Sequence, residues 1–134
     1  MLPFEFTVVG VPVSMQTRNR ERLRAWMRDV RAAAVGRLPP GAAPVPFQVI
    51  ITIVYYYADA TLDTDNMIKP IQDSLKGVVY VDDNQVTDVR AGVRSLDGTF
   101  KVRGISEVLA GGFVTGRDFV HVRVERAPDQ AELV

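Results

Sequence analysis

The chain has 134 residues, of which 47% are hydrophobic and 24% charged, so one compact domain with a buried core is expected. It contains no cysteine and a single histidine, His121, which excludes disulfides, thiolate zinc sites, iron–sulfur clusters and multi-histidine metal sites. Sixteen basic residues balance sixteen acidic ones, and this neutral total argues against a nucleic-acid partner, since such domains are usually basic.

The first half of the chain predicts a strand, a helix and a second strand. The alternating residues of Phe4–Val9 are typical of a strand. Ser14 or Thr17 would cap a helix that runs to about Val35 and carries an apolar stripe at helical spacing. The β-branched and aromatic residues of 47–57 predict a central strand.

The second half predicts another helix and further strands. Asp65 or Asn66 would begin the helix, with Pro70 in about its first turn and Gly77 at its end. After it we expect a strand over 86–93, a candidate strand over 100–103, a helical turn over 107–110, a last strand over 119–125 and a frayed tail over 127–134. The order predicts an α+β fold, a small mixed β-sheet with two main helices packed on it, as a single domain over residues 1–134.

The neutral total hides an uneven distribution of charge. Between residues 14 and 37, seven arginines stand against two acidic residues, a local charge of +5. Between residues 59 and 88, seven aspartates stand against two lysines, a local charge of −5. The first segment suits a polyanion and the second a divalent cation, although two ordinary solvated surfaces would have the same composition. The arginines that are candidates for phosphate contacts are Arg18, Arg20, Arg22, Arg24, Arg28 and Arg31.

The aspartates of the second segment form the most informative pattern. Asp63 and Asp65 are two residues apart, and in an extended segment that spacing points both carboxylates to the same side. Carboxylates held so close repel each other unless a cation compensates them. A third carboxylate, from the later Asp82-Asp83 doublet, would complete a set that suits Mg²⁺ or Mn²⁺. Lys69, four residues beyond Asp65, lies on the same side of a helix and could hold a phosphate or orient the attacking water.

Each of these pieces also has an ordinary structural interpretation. Asp63 and Asp65 could cap or turn the chain at the start of a helix. The later aspartate doublet could be a plain turn, and Lys69 could be a solvated helix residue paired with Asp65 or Asp73. The occurrence of all three within a short stretch of chain favours a catalytic cluster.

The pattern Asp-x-Asp-Asn-x-x-Lys, followed by Asp-x-Leu and then by Asp-Asp shortly before a strand, resembles the RusA family of Holliday junction resolvases. The matching residues are Asp63, Asp65, Asn66, Lys69, Asp73, Leu75, Asp82 and Asp83. A looser likeness covers the N-terminal strand, the turn at residues 10–12 and the basic helix after it, so the resemblance extends over most of the chain. Members of that family are small, dimeric, Mg²⁺-dependent endonucleases, often carried by prophages.

The resemblance implies a role for each of the charged residues. Asp63, Asp65 and Asp83 would be the metal-binding catalytic carboxylates. Asp82 is the alternative to Asp83, because either aspartate of the doublet can be aligned with the third carboxylate of the family pattern. Lys69 would be the catalytic lysine. The implied activity is the resolution of four-way DNA junctions by paired, symmetric nicks with Mg²⁺, or with Mn²⁺ in its place. A homodimer suits that task, because a two-fold substrate needs two active sites related by a two-fold axis.

From these observations we expect a metal-dependent endodeoxyribonuclease that acts on branched DNA in recombination and repair. No apolar run approaches the roughly 18 residues of a membrane span, and the N-terminus lacks the pattern of a secretory signal, so we expect a cytoplasmic protein with no membrane partner. The main alternative is a non-catalytic module that binds branched DNA or other nucleic acid on the same scaffold. A third is a protein-interaction domain with ordinary acidic turns. A pure binder gains nothing from a repulsive acidic cluster, which favours the enzyme.

Overall fold

The computed structural model describes residues 1–59, 62–98, 101, 103–129 and 131. Within these residues lie four strands, three α-helices and one 3₁₀ turn. In chain order they are β1 (Phe4–Val9), α1 (Arg20–Arg37), β2 (Val49–Tyr57), α2 (Thr64–Leu75), the 3₁₀ turn (Asp83–Gln85), β3 (Val86–Ser95), α3 (Glu107–Val114) and β4 (Phe119–Arg126).

The strands form one mixed sheet in the order β1-β4-β2-β3. β4 pairs antiparallel with both β1 and β2, whereas β2 and β3 are parallel. Parallel neighbours cannot be joined by a tight turn, so the chain crosses from β2 to β3 through α2. This architecture confirms the predicted α+β fold class, with α3 as a short helix in addition to the two main ones.

Alternation along the strands divides the sheet into two faces. On one face, Phe6, Ile53 and Val122 are fully buried in a core that they share with the apolar sides of α1 and α2. On the other face, the ring of Phe119 lies against the backbone of Gly112 in α3. The two long helices therefore cover one face of the sheet, and α3 covers part of the other.

Helix α1 begins later than the sequence predicts. Its N-cap is Asn19, whose side chain accepts a hydrogen bond from the backbone N–H of Arg22 at 3.1 Å. The hydroxyls of Ser14 and Thr17 instead accept backbone N–H groups two residues further on, inside the preceding loop. The predicted caps are therefore wrong, because both hydroxyls are used in turns before the helix.

Helix α2 begins earlier than predicted. Thr64 is its first residue and Asp63 its N-cap, whereas the sequence favoured a start at Asp65 or Asn66. Pro70 consequently lies in the second turn, where its missing N–H leaves one helical hydrogen bond unmade. Pro70 is itself buried, so packing of this side of the helix offsets the lost bond.

Helix α3 is longer than the predicted helical turn. It continues through Gly111 and Gly112, beyond the predicted end at residue 110. Gly112 is needed inside the helix because a Cβ at that position would overlap the ring of Phe119.

The candidate strand over 100–103 and the tail over 127–134 lie partly outside the described residues, and neither 101 nor 103 is in a strand. Among the helices of the described residues, none combines the length and the apolarity that a membrane crossing requires.

Candidate active site beside helix α2

One exposed side of α2 carries the charged residues of the predicted site. Asp65, Lys69 and Asp73 are spaced four residues apart, so they follow one another along a single helix face. The buried side, with Met67 and Ile71, is offset from them by two positions, or roughly half a turn. Burial of the apolar side in the core therefore turns the three charged side chains outward.

Lys69 is the centre of the charged cluster. Its Nζ donates a hydrogen bond to Oδ1 of Asp73 at 2.9 Å and lies 3.7 Å from Oδ2 of Asp83. The hydrogen bond to Asp73 is the main reason that the pKa of Lys69 is raised, and the Asp83 carboxylate adds to the shift. At neutral pH the side chain is therefore an ammonium group, which can act as a cation but not as a base. Of the two helix partners that the sequence allowed, Asp73 is the observed one.

The loop after α2 folds back against the helix and so brings Asp83 to this cluster. Gly77 turns the chain at the helix end with a φ of 79°, a left-handed conformation that favours glycine. Tyr80 is fully buried, and its hydroxyl donates to the backbone oxygen of Gln72 at 2.6 Å. Burial raises the pKa of Tyr80, and the carboxylates of Asp83 and Asp73 raise it further, so the hydroxyl remains a donor at neutral pH.

The two aspartates of the Asp82-Asp83 doublet contact different lysines. Oδ1 of Asp82 lies 3.1 Å from Nζ of Lys76, and the hydrogen bond to Lys76 is the main reason that the pKa of Asp82 is lowered. Oδ2 of Asp83 instead faces Lys69. The sequence left the alignment of the doublet open, and the structure brings Asp83, rather than Asp82, into the cluster.

Asp83 has an unusual second oxygen. Its Oδ1 is buried and has no hydrogen-bond partner among the residues that the structure describes. A buried acceptor without a donor destabilises the fold, and for a charged group the penalty is larger than for a neutral one. A bound cation would satisfy this oxygen, and carboxylate oxygen is a preferred ligand of Mg²⁺. The donor chemistry at Asp83 therefore fits a hard divalent cation.

Asp63 and Asp65 are arranged differently from the prediction. Asp65 is already inside the first helical turn, so the prediction of one extended segment that points both carboxylates the same way is wrong. Asp63 occupies the N-cap, yet its carboxylate accepts no capping hydrogen bond from the part of the chain that the structure describes. Across those residues, no three Asp, Glu or His side chains are grouped so that they could share a metal ion. The set of Asp63, Asp65 and Asp83 is not gathered around one point, and its role as a metal site stays a prediction.

Three of the six candidate DNA-binding arginines share a groove with the cluster. Arg24, Arg28 and Arg31 follow one another along the exposed side of α1 and, together with Asp73 of α2, line a cavity of about 290 Å³ between the two helices. Asp73 accepts the hydrogen bond of Lys69, so the groove directly adjoins the cluster.

The other three arginines lie at or before the start of α1. Arg20 donates from Nη1 to the backbone oxygens of Met15 and Thr17 at 2.7 and 3.3 Å, so it helps to hold the loop before the helix. Arg22 is exposed and lines a neighbouring surface cavity that also includes two of the groove arginines. Arg18 is exposed in the loop itself.

A second polar cluster lies on the opposite face of the sheet. The carboxylate of Glu5 accepts a hydrogen bond from Ser106 and, at 3.0 Å, another from Arg123. Nε2 of His121 lies 3.7 Å from Oε1 of Glu5 and has no hydrogen-bond partner in the described part of the chain. Burial lowers the pKa of His121 more than Glu5 raises it, so the imidazole is neutral at pH 7.

Sequence reasoning missed two residues that shape the site, Tyr80 and Gln85. The spacing from Asp82 to Gln85 is that of a capping box, and this signal could have indicated that the Gln85 side chain is structurally committed. For Tyr80 the sequence offers only a buried aromatic residue, because its partner is a backbone carbonyl of α2 that no side-chain pattern reveals.

The α+β domain thus places a lysine between two aspartates beside a groove lined by arginines, and these cationic groups are of the kind that contacts phosphate. The model of the family described as endodeoxyribonuclease RusA matches residues 7–103. This range is more than half of the chain, so the protein belongs to the RusA endodeoxyribonuclease family, a family of nucleases that act on branched DNA, and the predicted resemblance is confirmed. Comparison with curated proteins gives no match. The matched range contains the whole Lys69 cluster and the arginine groove, and it ends before α3 and β4.

Proposed function

We propose that this protein is a homodimeric, Mg²⁺-dependent endonuclease that resolves four-way DNA junctions by paired, symmetric nicks. Mn²⁺ would serve as an alternative metal, and the reaction would belong to DNA recombination and repair in the cytoplasm. Membership of the RusA family supports the nuclease class and a branched DNA substrate. The observation that carries the proposal is the contact of Lys69 with both Asp73 and Asp83 beside the arginine groove.

Lys69 is suited to bind the scissile phosphate. Its pKa is raised, so it is fully charged at neutral pH, and its side chain is 60% exposed and thus accessible to DNA. A fixed cation beside a phosphodiester stabilises the negative charge that develops on the phosphoryl oxygens in the transition state. The hydrogen bond to Asp73 restricts the Nζ before DNA arrives, so less ordering is required on binding.

Asp63, Asp65 and Asp83 are the residues that would hold the metal. Asp83 supports this role best, because its buried Oδ1 lacks a donor among the described residues. Asp82 supports it less, because its carboxylate is already paired with Lys76. When bound, Mg²⁺ supplies Lewis-acid stabilisation of the phosphoryl oxygens and a coordinated water of lowered pKa.

The groove arginines would bind the DNA backbone on the way to the cluster. Arg24, Arg28 and Arg31 offer three exposed guanidinium groups along one helix face. Guanidinium groups suit phosphates because they donate two parallel hydrogen bonds to them. Contacts of this kind fix the register of the DNA and are independent of base sequence.

Two copies of the chain would act on each junction. A four-way junction presents two equivalent strands for cleavage, and symmetric nicks require two sites related by a two-fold axis. Pairing two copies would also present the groove arginines of both chains to one junction.

The test is cleavage of a synthetic four-way DNA junction in Mg²⁺ by the unchanged protein and by Asp65→Asn. We expect paired nicks from the unchanged protein, none in EDTA, and a large loss of cleavage in the variant with junction binding retained. Asp97→Asn, an exposed aspartate in the turn after β3, is the matched control and should cleave normally. Cleavage by Asp65→Asn at the rate of the unchanged protein would refute the proposed site, and binding without any Mg²⁺-dependent cleavage would support the non-catalytic alternative.

A further inference from the structure

The side-chain amide of Gln85 connects two loops that are far apart in the chain. Its Nε2 donates to the backbone oxygens of Val45 and Phe47 at 2.7 and 2.8 Å. Its Oε1 accepts the backbone N–H groups of Val81 and Asp82, both at 2.8 Å. Two donors and two acceptor positions are all that a glutamine amide offers, so Gln85 uses its full hydrogen-bonding capacity.

Only one orientation of this amide fits its surroundings. The opposite orientation would set the amide oxygen against the carbonyl oxygens of Val45 and Phe47 and the NH₂ group against the N–H groups of Val81 and Asp82. All four contacts would then become repulsive. The side chain is therefore locked, and so is the distance between the segment before β2 and the segment that leads to Asp83.

We infer that Gln85 is the positioning residue for Asp83, and this inference rests on the proposed function. Within the described residues, the carboxylate of Asp83 has no hydrogen bond at Oδ1, and at Oδ2 it meets Lys69 across 3.7 Å. Such contacts do not fix a side chain firmly, so the position of the carboxylate depends on its backbone. The Gln85 amide holds that backbone, because it binds the N–H of the residue directly before Asp83.

The backbone of the turn gives little support of its own. The turn is a 3₁₀ helix of three residues, with two backbone bonds, from the N–H of Gln85 to the oxygen of Asp82 at 3.1 Å and from the N–H of Val86 to the oxygen of Asp83. Short 3₁₀ segments have poor hydrogen-bond geometry and are marginal in isolation. The other loop is anchored more firmly, because the N–H of Val45 donates to the oxygen of Val79 at 2.9 Å. Through its bonds to Val45 and Phe47, Gln85 thus restrains the Asp83 turn relative to this anchored loop.

The function of this arrangement is to keep the Asp83 carboxylate at the Lys69 cluster. Without the amide, the turn loses its tie to the loop before β2, and Asp83 samples positions away from Lys69. Residues that orient metal ligands or catalytic groups typically cost about 10- to 100-fold in metal affinity or activity when they are removed. Junction affinity without metal should not change, because the arginine groove between α1 and α2 does not include this turn.

The test compares Gln85→Met with two controls, using a synthetic four-way junction and Mg²⁺. Methionine matches the length of glutamine but forms none of the four hydrogen bonds. Gln48→Met makes the same change at an exposed position next to Phe47, and Val124→Ala removes buried volume from β4 and so controls for a general loss of stability. The readouts are the single-turnover rate against Mg²⁺ concentration, junction affinity in EDTA, and amide hydrogen exchange at Val81 and Asp82.

We expect Gln85→Met alone to need more Mg²⁺ and to cleave about 10- to 100-fold more slowly, with unchanged junction affinity. Exchange at the two amides should accelerate in this variant and remain slow in both controls. If Gln85→Met cleaves with the rate and Mg²⁺ dependence of the unchanged protein, the inference is wrong while the proposed function stands. If the unchanged protein itself does not cleave, the proposed function is wrong, and unaltered amide exchange in Gln85→Met would then overturn the inference separately.

Discussion

The Nζ of Lys69 lies 3.7 Å from Oδ2 of Asp83, and this contact links helix α2 to the turn before β3. Fourteen positions separate the two residues in the sequence, and the intervening loop returns to the helix because the Tyr80 hydroxyl bonds to an α2 carbonyl. The charged cluster is therefore a consequence of the crossover between two parallel strands. The packing that buries Tyr80 also determines where Asp83 lies.

Replacement of Lys69 by methionine should remove most of the cleavage activity. The variant keeps the aliphatic stem of the lysine but loses the cation between Asp73 and Asp83. Loss of one preorganised electrostatic group at a transition state costs about 100-fold or more in rate. Single-turnover cleavage of a four-way junction at saturating Mg²⁺ measures this loss.

Lys76→Met provides the matched control for that experiment. Lys76 is 51% exposed and pairs with Asp82, the other member of the aspartate doublet, at 3.1 Å. It therefore has a similar environment and the same type of partner, but it lies outside the Lys69 cluster. We expect its cleavage rate to stay close to that of the unchanged protein. Equal losses in both variants would mean that general surface charge, and not Lys69, supports the reaction.

The strands of this fold were predictable because alternation is a local property. Phe4–Val9 and the last strand alternate apolar and polar residues, and both form where the pattern predicts them. Helix starts were not predictable to the residue, because several residues of the capping type compete. Ser14 and Thr17 precede α1, but the turns before the helix use their hydroxyls and leave Asn19 as the cap.

The sequence predicted that the Asp82-Asp83 doublet comes to the charged side of α2, but it did not decide which aspartates contact Lys69. Four-residue spacing sets Asp65 and Asp73 at equivalent distances on either side of Lys69, so the sequence cannot choose between them. The observed partner is Asp73, on the side to which the folded loop also brings Asp83. That choice depends on tertiary packing of Tyr80 and on the amide of Gln85, neither of which has a periodic signal.

Divalent metal should raise the melting temperature of the protein. A ligand that binds only the folded state stabilises it by mass action, by about 2.7 kcal/mol at 100 times its dissociation constant. We expect this stabilisation with Mg²⁺ or Mn²⁺, its removal by EDTA, and its loss in Asp83→Asn. Asp97→Asn, which lies outside the cluster, should respond to metal like the unchanged protein. An equal response in Asp83→Asn would show that any bound metal does not involve this carboxylate.

The free energy of unfolding should decrease as pH falls below 6.5. Burial lowers the pKa of His121 in the folded protein below the ordinary 6.5. As the pH falls through 6.5, the unfolded chain therefore binds more protons than the folded protein does, which favours unfolding. Glu5 also has a lowered pKa, but its effect begins only below about 4.5, its ordinary value. Urea unfolding between pH 8 and pH 5 should therefore show a decline that His121→Gln flattens. A parallel decline in that variant would assign the acid sensitivity to other groups.

Gly112→Ala and Gly111→Ala should change the stability in opposite directions. A Cβ at Gly112 would overlap the Phe119 ring, which is held by rings of Tyr56 and Phe113 with centroids 4.7 and 5.2 Å away. Such overpacking typically costs about 1–3 kcal/mol. A Cβ at Gly111 meets no atom within 4 Å, so alanine there should stabilise the helix by about 0.5–1 kcal/mol. Thermal unfolding of both variants measures these changes in stability. Equal shifts of the melting temperature in the two variants would contradict the packing of α3 on Phe119.

The groove arginines should determine the salt dependence of junction binding. Each phosphate contact contributes about −0.9 to the slope of log affinity against log salt concentration. Arg28→Ala should therefore make the slope shallower by about 1, and the triple change of Arg24, Arg28 and Arg31 to alanine by about 3. Arg117→Ala is the control, because this exposed arginine lies between α3 and β4, away from the groove. Binding in EDTA over a range of salt concentrations measures the slopes, and a slope that is the same in Arg28→Ala and Arg117→Ala would exclude the α1–α2 groove as the path of the DNA backbone.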